Sequence, residues 1–287
     1  MSAADLRAML VSDHVTHVPG VYDPATAALA VRAGHRAVHL SGAAVSATML
    51  GRPDLGFTPA TQIADRAAVL VPALRGVPLL ADAGIGYDSA DHAVWTALAY
   101  QRAGISGLRL DDDGDARLAA ARIAALVEQA PQVMLIAQAG GRGLADTIQR
   151  CRAYAAAGAD AVLPVDVKEG DDLCRLHAEL PGVPLVISRS ETATGGRYRT
   201  DAELADLGVR LVLHPLAAVL AALRAASLTY RAIADEGHAT RVDRIPLAVF
   251  ATLTEHPEPP TGPEPPAGPA PPTGPGLAGP GLDEIDT

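Results

Sequence analysis

The residues best placed to do chemistry in this chain stand at the ends of short apolar runs. In Pro78-Leu79-Leu80-Ala81-Asp82-Ala83-Gly84-Ile85-Gly86-Tyr87-Asp88 the run stops at an acid, then at glycines and a tyrosine. Such a run predicts a buried parallel strand. Asp82 then lies at the strand's carboxyl end, the edge of a parallel α/β sheet where ligands collect; its other possible role is a turn cap. Gly107-Leu108-Arg109-Leu110 ends in the same way in Asp111-Asp112-Asp113, which alternatively reads as a solvated acidic turn. Strand alternation puts Arg109 and Asp111 on one face. On an inward face Arg109 needs a partner, and Asp82 or Asp111 fits; the alternative is an outward Arg109 under a helix. His39, His214 and Tyr87 are further acid/base groups, each histidine being also a candidate for a hydrogen-bonded structural role.

These groups need a scaffold, and the sequence spells one out. Strand signals fall at Val15–Val18, Ala37–Leu40, Pro78–Asp82, Gly107–Leu110, Val133–Ala137, Ala161–Leu163, Pro184–Ile187 and Arg210–Leu213. Helical stretches alternate with them, opened by capping residues such as Asp23 and Ser89 and stopped by glycines such as Gly34, Gly104 and Gly158. Further helices are expected near 43–50, from Thr58 or Thr61 to Leu74, over 115–130 and over 170–179, and a long one runs from Leu216 to Ala234. Eight such units predict an α/β fold, a (β/α)8 TIM barrel over residues 1–240. A doubly wound open sheet is the alternative, but no glycine-rich dinucleotide or phosphate loop follows the first strand. Residues 241–255 form a carboxyl-terminal helical segment with the apolar stretch Ile245–Leu253. Residues 256–287 are rich in Pro and Gly with little to bury, and predict a disordered tail.

Composition narrows the function. The chain has 287 residues, 49% of them hydrophobic but only 3% aromatic, so Ala, Leu and Val fill the core. A formal charge of −10 argues against nucleic acid as a partner. No run of about 18 apolar residues is present, which predicts no membrane partner, and Met1–Asp5 does not resemble a secretory signal. Cys151 and Cys174 match no metal or redox spacing; as buried thiols they point to a cytoplasmic location.

Several motifs carry a resemblance. Pro19-Gly20-Val21-Tyr22-Asp23-Pro24-Ala25-Thr26-Ala27, His39-Leu40-Ser41-Gly42-Ala43-Ala44, Leu50-Gly51-Arg52-Pro53-Asp54-Leu55-Gly56, the stretch 153–161 and Pro215-Leu216 together resemble the isocitrate lyase/phosphoenolpyruvate mutase superfamily, in consistent order over residues 6–235. The pattern is most similar to methylisocitrate lyases, dimethylmalate lyases and oxaloacetate decarboxylases. The resemblance implies breaking a bond beside a small 2-oxo or 2-hydroxy carboxylate through an enolate stabilised by Mg2+. It implies Asp82 as a catalytic metal ligand and Asp111 as an acid reaching the metal through water. Ser41, Gly42 and Ala43 match the turn that holds the substrate carboxylate, and Tyr22 and Asp54 match residues lining the same pocket. It also implies a homo-oligomer, a dimer or tetramer, in which a carboxyl-terminal helix such as Ile245–Leu253 packs on a neighbour.

The chain departs from that pattern at its charged rim. Gly84 stands where the second metal-binding acid belongs, and Ile85 follows it. The cysteine-bearing loop after the fourth strand is missing. Gln138 replaces a substrate-binding arginine and cannot supply a charged fork. Val165 with Asp166 beside it, and Ser188, replace a glutamate and an asparagine. Arg189 is a candidate replacement cation, as is Arg109, which can take the place of Mg2+ if it pairs with Asp82 or Asp111. Three readings follow: a Mg2+-dependent carbon–carbon lyase or decarboxylase of small acids, a metal-free enzyme on the same scaffold, or a non-catalytic binding or scaffolding protein.

Overall fold

A computed structural model describes residues 2–53, 58–86, 89–112, 114–165, 167, 170–189 and 198–254. Asp54, Tyr87, Asp113, Asp166 and the segment 256–287 lie outside the described residues.

The chain is a (β/α)8 barrel. Its strands are β1 (Thr16–Pro19), β2 (Val38–Leu40), β3 (Leu79–Asp82), β4 (Gly107–Asp111), β5 (Met134–Ala139), β6 (Ala161–Pro164), β7 (Leu185–Ser188) and β8 (Val209–His214). They pair in parallel in the order β1-β8-β7-β6-β5-β4-β3-β2. The ring closes between β1 and β2 through a bridge from Gly20 to His39. There the Gly20 amide donates to the His214 carbonyl, and the Val21 amide to the His39 carbonyl, each at 2.9 Å. Only glycine fits at that seam, because a Cβ on Gly20 would lie 2.1 Å from the Pro215 carbonyl oxygen.

The helices are α1 (Ala3–Leu10), α2 (Pro24–Arg32), α3 (Gly42–Val45), α4 (Ala60–Leu70), α5 (Ala90–Arg102), α6 (Ala116–Gln129), α7 (Leu144–Ala156), α8 (Asp171–Glu179), α9 (Asp201–Asp206), α10 (Ala217–Glu236) and α11 (Leu247–Thr254). The helix expected near 43–50 is α3 followed by a π-helical turn, Ser46–Leu50, which Gly51 ends with a φ of 59°. The one expected to reach Leu74 tightens into a 3-10 turn at Val71–Leu74, where Pro72 has no amide to donate.

Strand alternation divides the core into two layers. Val38, Leu40, Leu79, Ala81, Leu108, Leu110, Leu135, Ala137, Val162 and Val212 face outward onto the helices. Val18, Leu80, Met134, Ile136, Leu163, Val186, Leu211 and Leu213 face inward, packed with Leu6, Met9 and Leu10 of α1. Each large aliphatic side chain so buried contributes roughly 1.5–3 kcal/mol. Helix α1 thus seals the amino-terminal end. It is opened by a Ser2–Asp5 capping box and tied down by Arg7, whose Nε lies 2.7 Å from Asp160. The opposite mouth is where the inward side chains turn polar.

The two carboxyl-terminal helices pack unequally. Helix α11 docks on its own chain, with Arg32 donating to Thr252 Oγ1 at 2.8 Å and Leu253 buried. Helix α10, the expected eighth barrel helix, buries only Val219. Its most apolar 18-residue window has a mean hydropathy of 1.3, so by length and composition it could cross a membrane. The run-length test overlooks it because Arg224 and Arg231 interrupt the apolar residues.

Candidate active site

The inward positions that follow the apolar inner layer on β2 to β5 are His39, Asp82, Arg109, Asp111 and Gln138, and they form one network. The Asp82 carboxylate lies 2.8 Å from His39 Nε2 and 2.7 Å from Arg109 Nε, both through Oδ1. Its Oδ2 accepts from the Gly42 amide at 2.9 Å. Arg109 Nη1 donates to Gln138 Oε1 at 2.5 Å, and Gln138 Nε2 donates to Asp111 Oδ2 at 2.6 Å. The period of two explains the gathering: residues of β4 and β5 sharing a face meet across paired strands, as Asp111 and Gln138 do in register.

Two groups hold Asp82 in place. Tyr100, buried in α5, donates its hydroxyl to the Asp82 carbonyl at 2.8 Å. The Gly42 amide, at the start of α3, fixes the carboxylate. Burial by itself raises the pKa of Asp82; the Arg109 charge, then His39, then the Gly42 hydrogen bond lower it, and the balance lies well below the usual carboxylate range. Asp82 is therefore ionised at neutral pH. His39 Nδ1, by contrast, is buried without a partner among the described residues.

The other candidates divide around this network. Ser41, Gly42 and Ala43 sit at the β2–α3 turn, with Ser41 buried and making no cap hydrogen bond. Tyr22 follows Val21 at the barrel seam, and its amide bonds Thr26 Oγ1 at 3.2 Å. Burial, and then the Asp23 charge, raise the Tyr22 pKa, so the phenol keeps its proton at neutral pH. Arg189, expected in the site, instead covers the Tyr198 ring at 4.4 Å and donates to the Arg199 carbonyl at 3.1 Å. His214, expected as an acid/base group, also requires correction. Leu211 and Leu213 face inward, so His214 faces out; its Nε2 lies 3.0 Å from His17 Nδ1, and His17 Nε2 lies 3.0 Å from Asp201 of α9.

Asp112, next to Asp111, also faces out. It is 2% exposed, accepts from the Tyr154 hydroxyl at 2.6 Å and meets Arg150 at 3.1 Å. A cavity of about 420 Å3 lies beside Asp111 and Gln138 and reaches the outward pair Asp112 and Arg150, bounded further by Gly114, Gly140, Gly141, Arg142 and Val165. The sequence reading leaves His39 at the margin and passes over Tyr100. For His39 a signal exists, since one polar residue between Val38 and Leu40 must point the other way; a buttressing tyrosine in a neighbouring helix leaves none.

A phosphoenolpyruvate phosphomutase family profile matches residues 6–234. The chain belongs to that family. The 2-methylisocitrate lyase of Bacillus subtilis is 31% identical over 252 residues, which span 82% of each chain. The oxaloacetate decarboxylase of Ectopseudomonas mendocina is 31% identical over 257 residues, spanning 83% of this chain and 85% of that one. Among solved structures, oxaloacetate acetylhydrolase superposes with a TM-score of 0.79 at 26% identity, covering 88% of this chain and 94% of that one. Phosphonopyruvate hydrolase, in a complex with oxalate and Mg++, superposes with a TM-score of 0.77 at 25% identity, covering 88% and 95%.

The family thus includes a Mg++ complex, and the donors present here can be tested against such an ion. Mg2+ needs hard oxygen donors around an octahedron. Both oxygens of Asp82 are already engaged, and the nearest cation is the Arg109 guanidinium. Gly84, with a φ of 53°, offers no side chain, although a Cβ there would meet nothing within 4 Å. Asp111 is tied to the Gln138 amide. Among the described residues no three acids, histidines or cysteines converge as a metal site. These residues do not fit Mg2+, and the expectation that Asp82 and Asp111 hold it is corrected accordingly.

Proposed function

We propose that the protein is a carbon–carbon lyase or decarboxylase of a small 2-oxo or 2-hydroxy carboxylic acid, working at the carboxyl-terminal mouth of the barrel. The observation that carries this reading is the closed network of His39, Asp82, Arg109, Gln138 and Asp111 at that mouth, in a family whose members include lyases and decarboxylases of such acids. Cleavage beside a 2-oxo acid leaves an electron pair as an enolate, and a fixed positive group lowers its energy. Arg109 supplies that charge, Asp82 holds it, and the protonated Tyr22 phenol on the rim supplies a proton. Ser41, Gly42 and Ala43 line the turn that fixes Asp82. The test is turnover: a panel of 2-oxo and 2-hydroxy acids is incubated with the full chain, with and without Mg2+, and 2-oxo acid products are followed. Turnover of at least one acid is expected. Inertness toward every acid in both buffers would instead favour a non-catalytic binding protein.

We read α10 as the contact with a second copy of the chain. Leu220, Leu223, Tyr230 and Ile233 lie exposed along one side of it. A membrane-spanning role is disfavoured because Arg224 and Arg231 would each cost about 2.5–3.5 kcal/mol near a bilayer centre. Light scattering should give a dimer or tetramer, and a monomer would contradict the assignment. Cys151 is buried as expected, whereas Cys174, expected to be buried, is exposed on α8; two free thiols support a cytoplasmic enzyme, and the charge of −10 argues against a nucleic-acid partner.

A further inference from the structure

We propose that Arg109 takes over the work of a divalent cation in this site: its guanidinium binds the carboxylate of a small 2-oxo acid directly, and binding requires no metal. The inference rests on the reading of the mouth as a small-acid site and goes beyond it by naming the group that meets the ligand.

Arginine presents five N–H groups in a rigid fork. In Arg109, Nε faces Asp82 Oδ1 at 2.7 Å and Nη1 donates to Gln138 Oε1 at 2.5 Å. Nη2 makes no hydrogen bond among the described residues. The side chain of Arg109 is 24% exposed and that of Asp82 is 8% exposed, so the ligand-accessible member of the pair is the cation. Asp82 and Gln138 fix the plane of the fork, which means little side-chain entropy remains to be lost when a carboxylate docks.

The same contacts work against a metal. A dication at Asp82 would stand beside a guanidinium already 2.7 Å from that carboxylate, and like charges so close repel strongly in a partly buried site. Gly84 leaves no second carboxylate to offset the repulsion. Gln138 has a double part: its amide oxygen braces Arg109 while its amide nitrogen engages Asp111, which separates the two acids that would otherwise share an ion. Lysine could satisfy Asp82 but not the ligand as well, because its ammonium lacks the planar fork that serves three partners at once.

The test is calorimetric titration of pyruvate into the full-length protein, once in EDTA and once in Mg2+. The expected result is binding of the same strength in both buffers, weakened about tenfold or more in Arg109→Lys. A double variant, Arg109→Ser with Gly84→Asp, is expected to bind pyruvate only when Mg2+ is added. Binding by the wild type that requires Mg2+ would overturn the inference and leave the small-acid reading standing. Equal binding by Arg109→Lys and wild type would also overturn it. No pyruvate binding in either buffer would overturn both. Should the variants fail to fold, the two wild-type titrations still decide the role of metal.

Discussion

Two acid–arginine clusters lie one residue apart at the end of β4, and they are built for different ends. Asp111 and Arg109 face inward, where Arg109 pairs with Asp82 and remains partly open to the mouth. Asp112 faces outward, where Arg150 and Tyr154 close around it and leave it 2% exposed. In the outer cluster the arginine is itself pinned from a second side by Asp146 at 3.1 Å. Arg150 and Tyr154, the two side chains that meet Asp112, both come from α7, so Asp112 fastens that helix to the sheet. The inner cluster draws on four different strands. A charge held by several strands at a barrel mouth is positioned with little give, which suits a ligand site; a charge sealed between helix and sheet suits stability.

That contrast sets the order of expected effects. Asp112→Ala should be the most damaging change, costing about 3–5 kcal/mol in urea unfolding, because it leaves the buried Tyr154 hydroxyl without its acceptor and takes from the half-buried Arg150 one of its two carboxylates. The outer layer should also show itself at alkaline pH. Burial, and then the Asp112 charge, push the Cys151 thiol up to about 12. Between the ordinary thiol range and about 12 the unfolded chain therefore releases a proton that the folded chain keeps. Stability should fall across that window by up to about 1.4 kcal/mol per pH unit, and Cys151→Ala should flatten the fall. Asp82→Ala should cost less than Asp112→Ala, about 1–3 kcal/mol, because water reaches Arg109. It should nevertheless abolish the rise in melting temperature with pyruvate, which Asp112→Ala, where folded, should keep. The smallest effect belongs to His214→Ala: a change of about 1 kcal/mol or less, with the pyruvate response intact. Loss of that response would return His214 to the site.

Much of this arrangement is legible in the sequence, and the reasons are physical. Glycine and proline stops isolate the eight apolar runs, so each strand is found to within a residue or two. The placement of Asp82 follows because an apolar run ends on it, and its approach to Arg109 follows from alternation along β4. The same alternation contradicts an inward His214, since Leu213 precedes it; being at a strand end is not enough, for the face decides. Arg189 shows a different limit. Its contact with the Tyr198 ring is one that no periodicity encodes. Helix α10 shows a third, because an apolar stripe has the same spacing whether it covers a sheet or stands exposed.

On the proposal made above, a guanidinium held by Asp82 does the work at the mouth of this barrel. Turnover of the acid panel in EDTA, by wild type and by Arg109→Lys side by side, tests it most directly. The account predicts that the wild type converts at least one 2-oxo or 2-hydroxy acid at a rate that added Mg2+ does not change, and that Arg109→Lys loses that rate. Turnover that begins only when Mg2+ is supplied, or that survives in Arg109→Lys, would contradict it.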